Sequence, residues 1–399
     1  MNIAVAQSGG PTCAINASLA GVFDAAFKNP QIDTVYGSLN GIEGIINDNL
    51  VDLKEVIKTE NDLQVLKLTP SSALGSCRYK LPNIEKDEQV YKKIISVFQK
   101  HNIGAFFYIG GNDSMDTVDK LSKYTMSQGI DIKIIGVPKT IDNDLCYTDH
   151  TPGFGSAAKY VATTLNEIIR DSAVYSIPSV TIIEIMGRHA GWLTASTCVL
   201  HANGETAPHL IYLPESEFSA EKFIADVNQK LKEHNSVIVA VSEGVELSDM
   251  DFRSGKVDNF GHKYLSGLGK CLENLVTDKI GCKVRSIELN VMQRCSSHLA
   301  SKTDIDESFL IGSAGVDAAL NGETGKMMAF CRVSDAPYEV TINSVDARNV
   351  ANAEKTFPIE WITDNGTNVS SEAQAYFLPL IQGDVTIEKK NGLPIHFKL

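Results

Sequence analysis

The amino-acid sequence predicts an α/β protein with two doubly wound parallel-sheet domains, a ligand cleft between them and a small C-terminal extension. Over the first two thirds of the 399 residues, short β-branched runs alternate with segments of helical periodicity, which is typical of parallel sheets covered by helices. A polar stretch at 136–155 divides the strands into two groups. Beyond about residue 330 short strands and turns take over, and we expect this extension (331–399) to pack on the second domain.

The predicted elements follow one another in a regular order. The first group of strands is predicted at 3–7, 105–109 and 133–137, and the second group at 180–185, 236–241 and 286–291. Apolar residues at helical spacing predict a helix at 90–100 on the surface of the first sheet. This alternation supports crossover connections between parallel strands.

Composition and charge exclude several classes of protein. The chain is 43% hydrophobic and 21% charged, and no apolar run approaches the roughly 20 residues that cross a bilayer. We read no signal peptide, and the eight scattered cysteines lack a C-x-x-C pair, so we expect a cytoplasmic protein with reduced thiols. A net charge of −13 argues against a nucleic-acid partner, whereas a local cluster of arginine and lysine can still bind a small anion.

Six predicted strands end in a polar stretch that carries functional side chains or glycine. In open α/β sheets, ligands bind outside the carboxyl ends of the strands. Turns are polar in general, and this could account for any one of the polar strand ends. It accounts poorly for functional side chains at all six. The six ends are Gln7-Ser8-Gly9-Gly10, Gly110-Gly111-Asn112-Asp113-Ser114, Lys139-Thr140-Ile141-Asp142, Met186-Gly187-Arg188, Ser242-Glu243-Gly244 and Gln293-Arg294. Together they predict a large site for a multiply charged ligand.

The two glycine pairs each follow a strand and open a helix, where backbone N–H groups hold phosphate oxygens. Neither pair fits the P-loop pattern G-x-x-x-x-G-K-[ST]. The sequence GFGSAA at 153–158 resembles a dinucleotide-binding motif, but it follows a loop and not a strand, which disfavours that interpretation.

Two carboxylates and several arginines are candidates for phosphoryl transfer. Asp142 and Asp144 are two residues apart, so in an extended segment their side chains face the same way. One is then a candidate to accept a proton, and the other to orient the first carboxylate or a metal. An Asx-turn is the alternative. Arg188, Arg285 and Arg294 lie near strand ends and suit bidentate phosphate binding, although a surface salt bridge explains each one alone.

The order of these residues resembles the phosphofructokinase superfamily over about residues 1–320. The motifs that carry the resemblance are SGG near the start, GSCR with Arg78, GGNDS, PKTIDND, MGRHAGWL, SEG, and the arginines Arg285 and Arg294. The resemblance implies that the 1-hydroxyl of fructose 6-phosphate attacks the terminal phosphoryl group of a donor in the presence of Mg²⁺. We accordingly expect a donor domain at 1–155 with about 295–330 and a sugar-phosphate domain at 156–294.

The resemblance also assigns the site residues. Asp142 matches the base, with Lys139, Asp113 and Arg188 as further catalytic residues. The donor positions are Gly10, Arg78, Gly111, Asp113 and Lys139, and the metal position is Asn112. The sugar-phosphate positions are Thr140, Ile141, Asp142, Met186, Gly187, Arg188, Glu243, Arg285, Val291 and Arg294, of which Arg285 matches an arginine lent by a neighbouring subunit.

Two positions favour pyrophosphate over ATP as the donor. ATP-dependent members of the superfamily usually have glycine where this chain has Asp113 and Lys139. A carboxylate at 113 repels the α-phosphate of a nucleotide, whereas an ammonium at 139 faces the transferring phosphoryl group. An ATP-dependent enzyme, or one acting on sedoheptulose 7-phosphate, is the alternative within the fold.

Four departures from the family pattern add further expectations. Asn112 replaces the usual aspartate at the metal position, Val291 replaces a histidine or tyrosine, and Cys295-Ser296 replaces a glycine pair. Ser179 replaces a second cross-subunit arginine, so among homo-oligomers we favour a homodimer over a tetramer. The first two departures also motivate the alternative of a non-catalytic regulatory subunit or sugar-phosphate sensor.

Overall fold

The computed structural model describes residues 1–249 and 267–399, and it confirms the predicted α/β fold with two parallel sheets. The strands are β1 (Asn2–Gln7), β2 (Val35–Ser38), β3 (Leu50–Asp52), β4 (Ile103–Gly110), β5 (Lys133–Pro138), β6 (Ser179–Ile185), β7 (Leu210–Tyr212), β8 (Ser236–Ser242), β9 (Lys283–Glu288), β10 (Lys326–Asp335), β11 (Tyr338–Asp346), β12 (Ile362–Thr363), β13 (Asn368–Val369), β14 (Lys389–Lys390) and β15 (Leu393–Pro394). The α-helices are α1 (Ile15–Lys28), α2 (Ile42–Ile46), α3 (Glu60–Leu68), α4 (Glu88–Lys100), α5 (Asn112–Ser127), α6 (Phe154–Ser172), α7 (Trp192–Ala195), α8 (Val199–Ala202), α9 (Ala220–Leu231), α10 (Leu268–Lys279), α11 (Met292–Cys295), α12 (Lys302–Leu320), α13 (Ala347–Val350) and α14 (Ser371–Phe377). Among these residues, no helix is both long and apolar enough to span a bilayer.

The first sheet has the strand order β11-β10-β5-β4-β1-β2-β3. Its central strands are parallel and apolar on both faces, because helices cover both sides. Alternate residues of β1 point to opposite faces: Ile3 and Val5 pack towards α1 and α12, whereas Ala4 and Ala6 pack towards α4 and α5. The carboxyl ends of β1, β4 and β5 therefore lie side by side at one edge of the sheet.

The second sheet has the parallel order β7-β8-β6-β9. In β6, Val180 and Ile182 pack towards α9 and α10, whereas Ile183 and Ile185 pack towards α6. The last strand was predicted at 286–291, but β9 spans Lys283–Glu288. Its residues are only partly buried, so its apolar pattern is weak, and the left-handed backbone of Asn290 (φ 46°) lies beyond the strand.

The C-terminal extension differs from the prediction that residues 331–399 pack on the second domain. Strands β10 and β11 instead continue the first sheet, with β10 parallel to β5 and β11 antiparallel at the edge. The physical reason is that α12 packs on the first sheet and delivers β10 directly to the open edge of β5. The later residues Phe357, Val369, Phe377 and Leu380 do pack in the core of the second sheet.

Candidate active site

The ends of β1 and β5 meet at a buried lysine. The Nζ atom of Lys139 donates a hydrogen bond to the carbonyl oxygen of Gly10 at 2.7 Å, and its backbone N–H donates to the carbonyl of Gly110 at 3.0 Å. Gly9 has a left-handed backbone (φ 75°), and a Cβ atom there would lie 3.2 Å from Lys139 Nζ. Glycine at this position therefore lets the lysine lie against the β1 loop.

Lys139 is 3% exposed, and burial lowers its pKa to about 8, although the carboxylates of Asp142 and Asp144 oppose that shift. Arg294 and Arg78 also lower the pKa of Lys139, which places both guanidinium groups within electrostatic reach of it. Nη1 of Arg294 would lie 3.4 Å from a Cβ atom at Gly10. The strand ends thus form a cationic recess lined by backbone, which suits a compact polyanion.

Asp142 follows this lysine in a turn and is half-buried. Burial and the carboxylates of Asp144 and Glu243 raise the pKa of Asp142 to about 7, while Lys139 and Arg188 partly offset that rise. A carboxyl group with a pKa near neutrality can both accept and release a proton at physiological pH. Burial also raises the pKa of Asp144.

The turn around Asp142 has a defined local structure. The backbone N–H of Asp142 donates to Oγ1 of Thr140 at 3.1 Å, and Ile141 packs in the hydrophobic core. Asn143 is fully buried with a left-handed backbone (φ 55°), a conformation that asparagine tolerates better than most residues. The turn leaves Asp142 within electrostatic reach of Lys139 from the first sheet and of Arg188 and Glu243 from the second.

The second sheet contributes Arg188 and Glu243 to the same cleft. The hydroxyl of Ser242 donates to the carbonyl of Gly187 at 2.6 Å and so joins the ends of β6 and β8. A Cβ atom at Gly244 would lie only 2.1 Å from the carbonyl oxygen of Arg188, so the two backbones can approach this closely only with glycine there. The backbone N–H of Met186 donates to Oε1 of Gln293 at 3.1 Å.

The first turn of α5 lies beside the recess. Helix α5 begins at Asn112, whose Oδ1 atom is buried with no hydrogen-bond partner. Asp113 is exposed, and its Oδ1 atom lies 3.7 Å from Nζ of Lys80. Gly111 also lies near this point, because a Cβ atom there would be 3.6 Å from the carbonyl oxygen of Lys139.

One of the predicted sugar-phosphate residues, Arg285, does not join this cluster. Arg285 lies within β9, and its Nη1 atom pairs with Asp171 at 3.3 Å on the protein surface. Val291 precedes α11 and is 46% exposed. The predicted Gln293-Arg294 strand end is wrong, because β9 ends at Glu288 and both residues lie in α11. The other predicted sugar-phosphate residues follow the ends of β5, β6 and β8: Thr140, Ile141, Asp142, Met186, Gly187, Arg188 and Glu243.

Comparison with known proteins agrees with the sequence motifs. The family model described as phosphofructokinase matches residues 2–314. The chain belongs to the phosphofructokinase family. This membership confirms the resemblance that the SGG, GGNDS, PKTIDND and MGRHAGWL motifs indicated.

Several proteins are similar to this chain over nearly its whole length. A pyrophosphate–fructose 6-phosphate 1-phosphotransferase of Halomonas elongata is 40% identical, over 100% of this chain and 96% of that protein. A protein of the same description from Methylococcus capsulatus is 38% identical with the same coverage. The crystal structure of a pyrophosphate-dependent phosphofructokinase from Marinobacter aquaeolei matches with a TM-score of 0.89 and 38% identity, over 100% of this chain and 95% of that chain.

Sequence reasoning missed the residues that support the site from a distance. Gln293 stood in the predicted Gln-Arg strand end, but its hydrogen bond to Met186 was not foreseen. Lys355 and Tyr376 contact the turn after Asp142, yet they lie beyond the residues that the phosphofructokinase model matches. A lysine and a tyrosine in a segment of short strands carry no local signal of such a contact.

Proposed function

We propose that this phosphofructokinase-family protein reversibly transfers a phosphoryl group from pyrophosphate to the 1-hydroxyl of D-fructose 6-phosphate, giving fructose 1,6-bisphosphate and phosphate. The observation that carries the proposal is the buried Lys139 ammonium, which lies within electrostatic reach of the Asp142 carboxylate. Transfer to an alcohol needs a base for the hydroxyl proton and positive charge at the transferring group. These two side chains supply both requirements at one point of the cleft.

In the proposed reaction, Asp142 accepts the proton of the 1-hydroxyl as its oxygen attacks the terminal phosphorus of pyrophosphate. The bond from that phosphorus to the bridging oxygen breaks, and inorganic phosphate leaves with the bonding electron pair. Lys139, Arg294 and Arg78 stabilise the negative charge on the phosphoryl oxygens, and the reverse reaction returns the proton from Asp142. The pKa of Asp142, raised to about 7 by burial and neighbouring carboxylates, suits both directions.

The choice of pyrophosphate rests on charge at two positions. Lys139 occupies volume beside Gly9 and Gly10 and presents its ammonium there. Asp113, exposed on the first turn of α5, adds a negative charge that disfavours a nucleotide with further phosphate groups. The relatives from Halomonas elongata and Methylococcus capsulatus support the same donor by their descriptions.

The sugar phosphate is proposed to bind at the ends of β6 and β8. Arg188 and Arg294 supply cations for the 6-phosphate, and Glu243 accepts hydrogen bonds from sugar hydroxyls. The further proposed contacts are Thr140, Ile141, Met186, Gly187 and Val291. Arg285 lies away from this cluster, which supports a homo-oligomer, with a homodimer favoured, in which a partner subunit contributes it.

Mg²⁺ is the proposed cofactor. Among the described residues, no cluster of three or more histidine, cysteine, aspartate or glutamate side chains forms a metal cage. Mg²⁺ usually retains waters and binds through few protein oxygens together with substrate phosphates. The buried Oδ1 atom of Asn112, which has no hydrogen-bond partner, would supply one such oxygen. When bound, the ion would neutralise charge on the phosphate oxygens.

A donor comparison tests the proposal. Purified protein is incubated with fructose 6-phosphate, Mg²⁺ and either pyrophosphate or ATP, and fructose 1,6-bisphosphate is quantified. We expect kcat/KM for pyrophosphate to exceed that for ATP by at least about 100-fold, the size of one lost electrostatic contact. A preference for ATP would contradict the proposal, as would a higher rate in a parallel incubation with pyrophosphate and sedoheptulose 7-phosphate. Absence of turnover with every donor and acceptor would favour a regulatory subunit.

A further inference from the structure

The turn that carries Asp142 is held from behind by the C-terminal extension. Residues 142–150 follow β5 and its lysine, and the segment 332–376 contacts them at several points. The segment 332–376 lies outside the residues 2–314 that the phosphofructokinase model matches, whereas the turn lies inside them. The catalytic turn is therefore supported by a part of the chain that the strand-end motifs do not include.

Lys355 joins the two ends of this turn. Its backbone N–H donates to the carbonyl of Asp144 at 2.7 Å. Its Nζ atom donates to the carbonyls of Thr148 at 3.0 Å and Asp149 at 2.7 Å. One residue thus satisfies three carbonyl acceptors of the turn, which fixes the turn's width.

Tyr376 provides the contact nearest to the proposed base. Nδ2 of the fully buried Asn143, the residue after Asp142, donates to the Tyr376 hydroxyl at 3.0 Å. That hydroxyl in turn donates to the carbonyl of Asp149 at 2.7 Å. Because Oδ1 of Asn143 has no hydrogen-bond partner, the Tyr376 hydroxyl is the side-chain group that anchors this amide.

The tyrosine is itself fixed by a buried ionic network. Arg332 donates to Oδ2 of Asp149 at 3.0 Å and to the carbonyl of Tyr376 at 3.1 Å, and its guanidinium lies 4.4 Å from the centre of the Tyr376 ring. His150 bridges Asp149 and Glu307, at 2.8 Å to each. Networks of satisfied buried polar groups adopt one arrangement and resist displacement.

We infer that Tyr376 and Lys355 are positioning residues for the transfer reaction: they hold the turn 142–149 so that Asp142 faces the acceptor hydroxyl. The inference rests on the proposed role of Asp142 as the base. Neither residue is placed to touch the substrates, so each acts through the turn. A small misplacement of a reacting group has a large cost in rate, because proximity and orientation supply much of the catalysis.

The test compares Tyr376→Phe with Tyr91→Phe. The Tyr91 hydroxyl also donates to a backbone carbonyl, that of Pro82, at 2.7 Å, but Tyr91 belongs to α4 and packs in the core of the first sheet, away from the turn. We expect Tyr376→Phe to lower kcat roughly 10- to 100-fold with both KM values within about 2-fold of wild type. Tyr91→Phe should keep kcat, although we expect both variants to lower the Tm by a similar few degrees, because each loses one buried hydrogen bond. An unchanged kcat in folded Tyr376→Phe, or an equal loss in both variants, overturns the inference.

Two variants of Lys355 provide an independent test in case Tyr376→Phe does not fold. Lys355→Arg retains donors for the two carbonyls, whereas Lys355→Met removes them, so we expect kcat to fall in Lys355→Met and to recover at least partly in Lys355→Arg. Equal loss in both variants would contradict a positioning role for the ammonium. If the wild type uses ATP, kcat of each variant relative to wild type is measured with ATP. The pyrophosphate proposal then fails, but the positioning role is still tested.

If the wild type turns over no donor, hydrogen–deuterium exchange of residues 140–150 replaces the rate measurement. Tyr376→Phe should raise exchange in this segment relative to wild type, and Tyr91→Phe should not. Unchanged exchange in Tyr376→Phe would show that the hydroxyl does not hold the turn.

Discussion

The Lys139 ammonium donates a hydrogen bond to the Gly10 carbonyl at 2.7 Å, so the side chain that follows β5 is fixed against the loop that follows β1. Fixing a buried cation in this way removes the reorganisation that a surface lysine would need on binding a polyanion. The same contact leaves the remaining N–H donors of the ammonium for other acceptors. The donor site is thus built from two loops that only the parallel sheet brings together.

Lys139→Met should abolish most pyrophosphate-dependent turnover. The methionine nearly preserves the volume beside Gly9 but removes the positive charge, so we expect kcat/KM for pyrophosphate to fall by roughly 10²–10³-fold. Initial rates at varied pyrophosphate measure this loss. The KM for fructose 6-phosphate and the Tm serve as controls and should change little; a loss confined to the sugar phosphate would contradict the assignment of Lys139 to the donor.

Asp142→Asn should remove the base while keeping the shape of the turn. Loss of a general base typically costs about 10²–10⁴-fold in kcat, and we expect a fall in that range. Asp144→Asn is the matched control, because Asp144 is two residues away and shares a pKa raised by burial. Its effect should be smaller. Turnover retained in Asp142→Asn would show that another group accepts the proton.

The pH profile of kcat/KM should be bell-shaped. Burial and nearby carboxylates raise the pKa of Asp142 to about 7, so the base is protonated and the rate falls as the pH drops below that value. Burial lowers the pKa of Lys139 to about 8, so the ammonium is lost and the rate falls above it. In Lys139→Met the alkaline limb should vanish and the acidic limb should move upward, because the ammonium lowers the Asp142 pKa. Ionisation of the substrates affects wild type and Lys139→Met alike, so it cancels when kcat/KM of one is divided by that of the other at each pH.

The sequence predicted the parts of the site that depend on local pattern. Apolar runs such as that of β4, followed by paired glycines, identify strand ends without knowledge of the fold. The parallel arrangement then brings those ends together, which is why Gly10, Lys139 and Asp142 were predictable as neighbours.

Contacts between distant segments were not predictable in this way. The pairing of β10 with β5 depends on the sheet edge left open beside β5, which no local pattern records. The bond from Asn143 to Tyr376 joins two residues that are hundreds of positions apart, and neither flanking sequence indicates the other. A single sequence therefore reveals the reacting groups more readily than the groups that hold them in place.

Gly244→Ala should damage the sugar-phosphate side selectively. The added Cβ atom would lie 2.1 Å from the Arg188 carbonyl oxygen, a backbone atom that cannot rotate away. The ends of β6 and β8 must then separate, so we expect the KM for fructose 6-phosphate to rise about 10-fold or more and the KM for pyrophosphate to stay close to wild type. Gly315→Ala is the control, because its Cβ atom meets side-chain atoms no closer than 3.4 Å and should be tolerated.

Asn112→Asp should make the donor site more dependent on Mg²⁺. The Oδ1 atom of Asn112 is buried and has no hydrogen-bond partner. A carboxylate oxygen in the same place would therefore carry an unpaired negative charge, which repels pyrophosphate when no metal is bound. With Mg²⁺ present, the carboxylate is a stronger ligand than the amide, because Mg²⁺ prefers charged oxygen. Titration calorimetry should show pyrophosphate binding more weakly to Asn112→Asp than to wild type without Mg²⁺ and at least as tightly with it. Asn112→Ala lacks the oxygen and should bind pyrophosphate more weakly than wild type only when Mg²⁺ is present; identical metal dependence in all three proteins would remove Asn112 from the metal position.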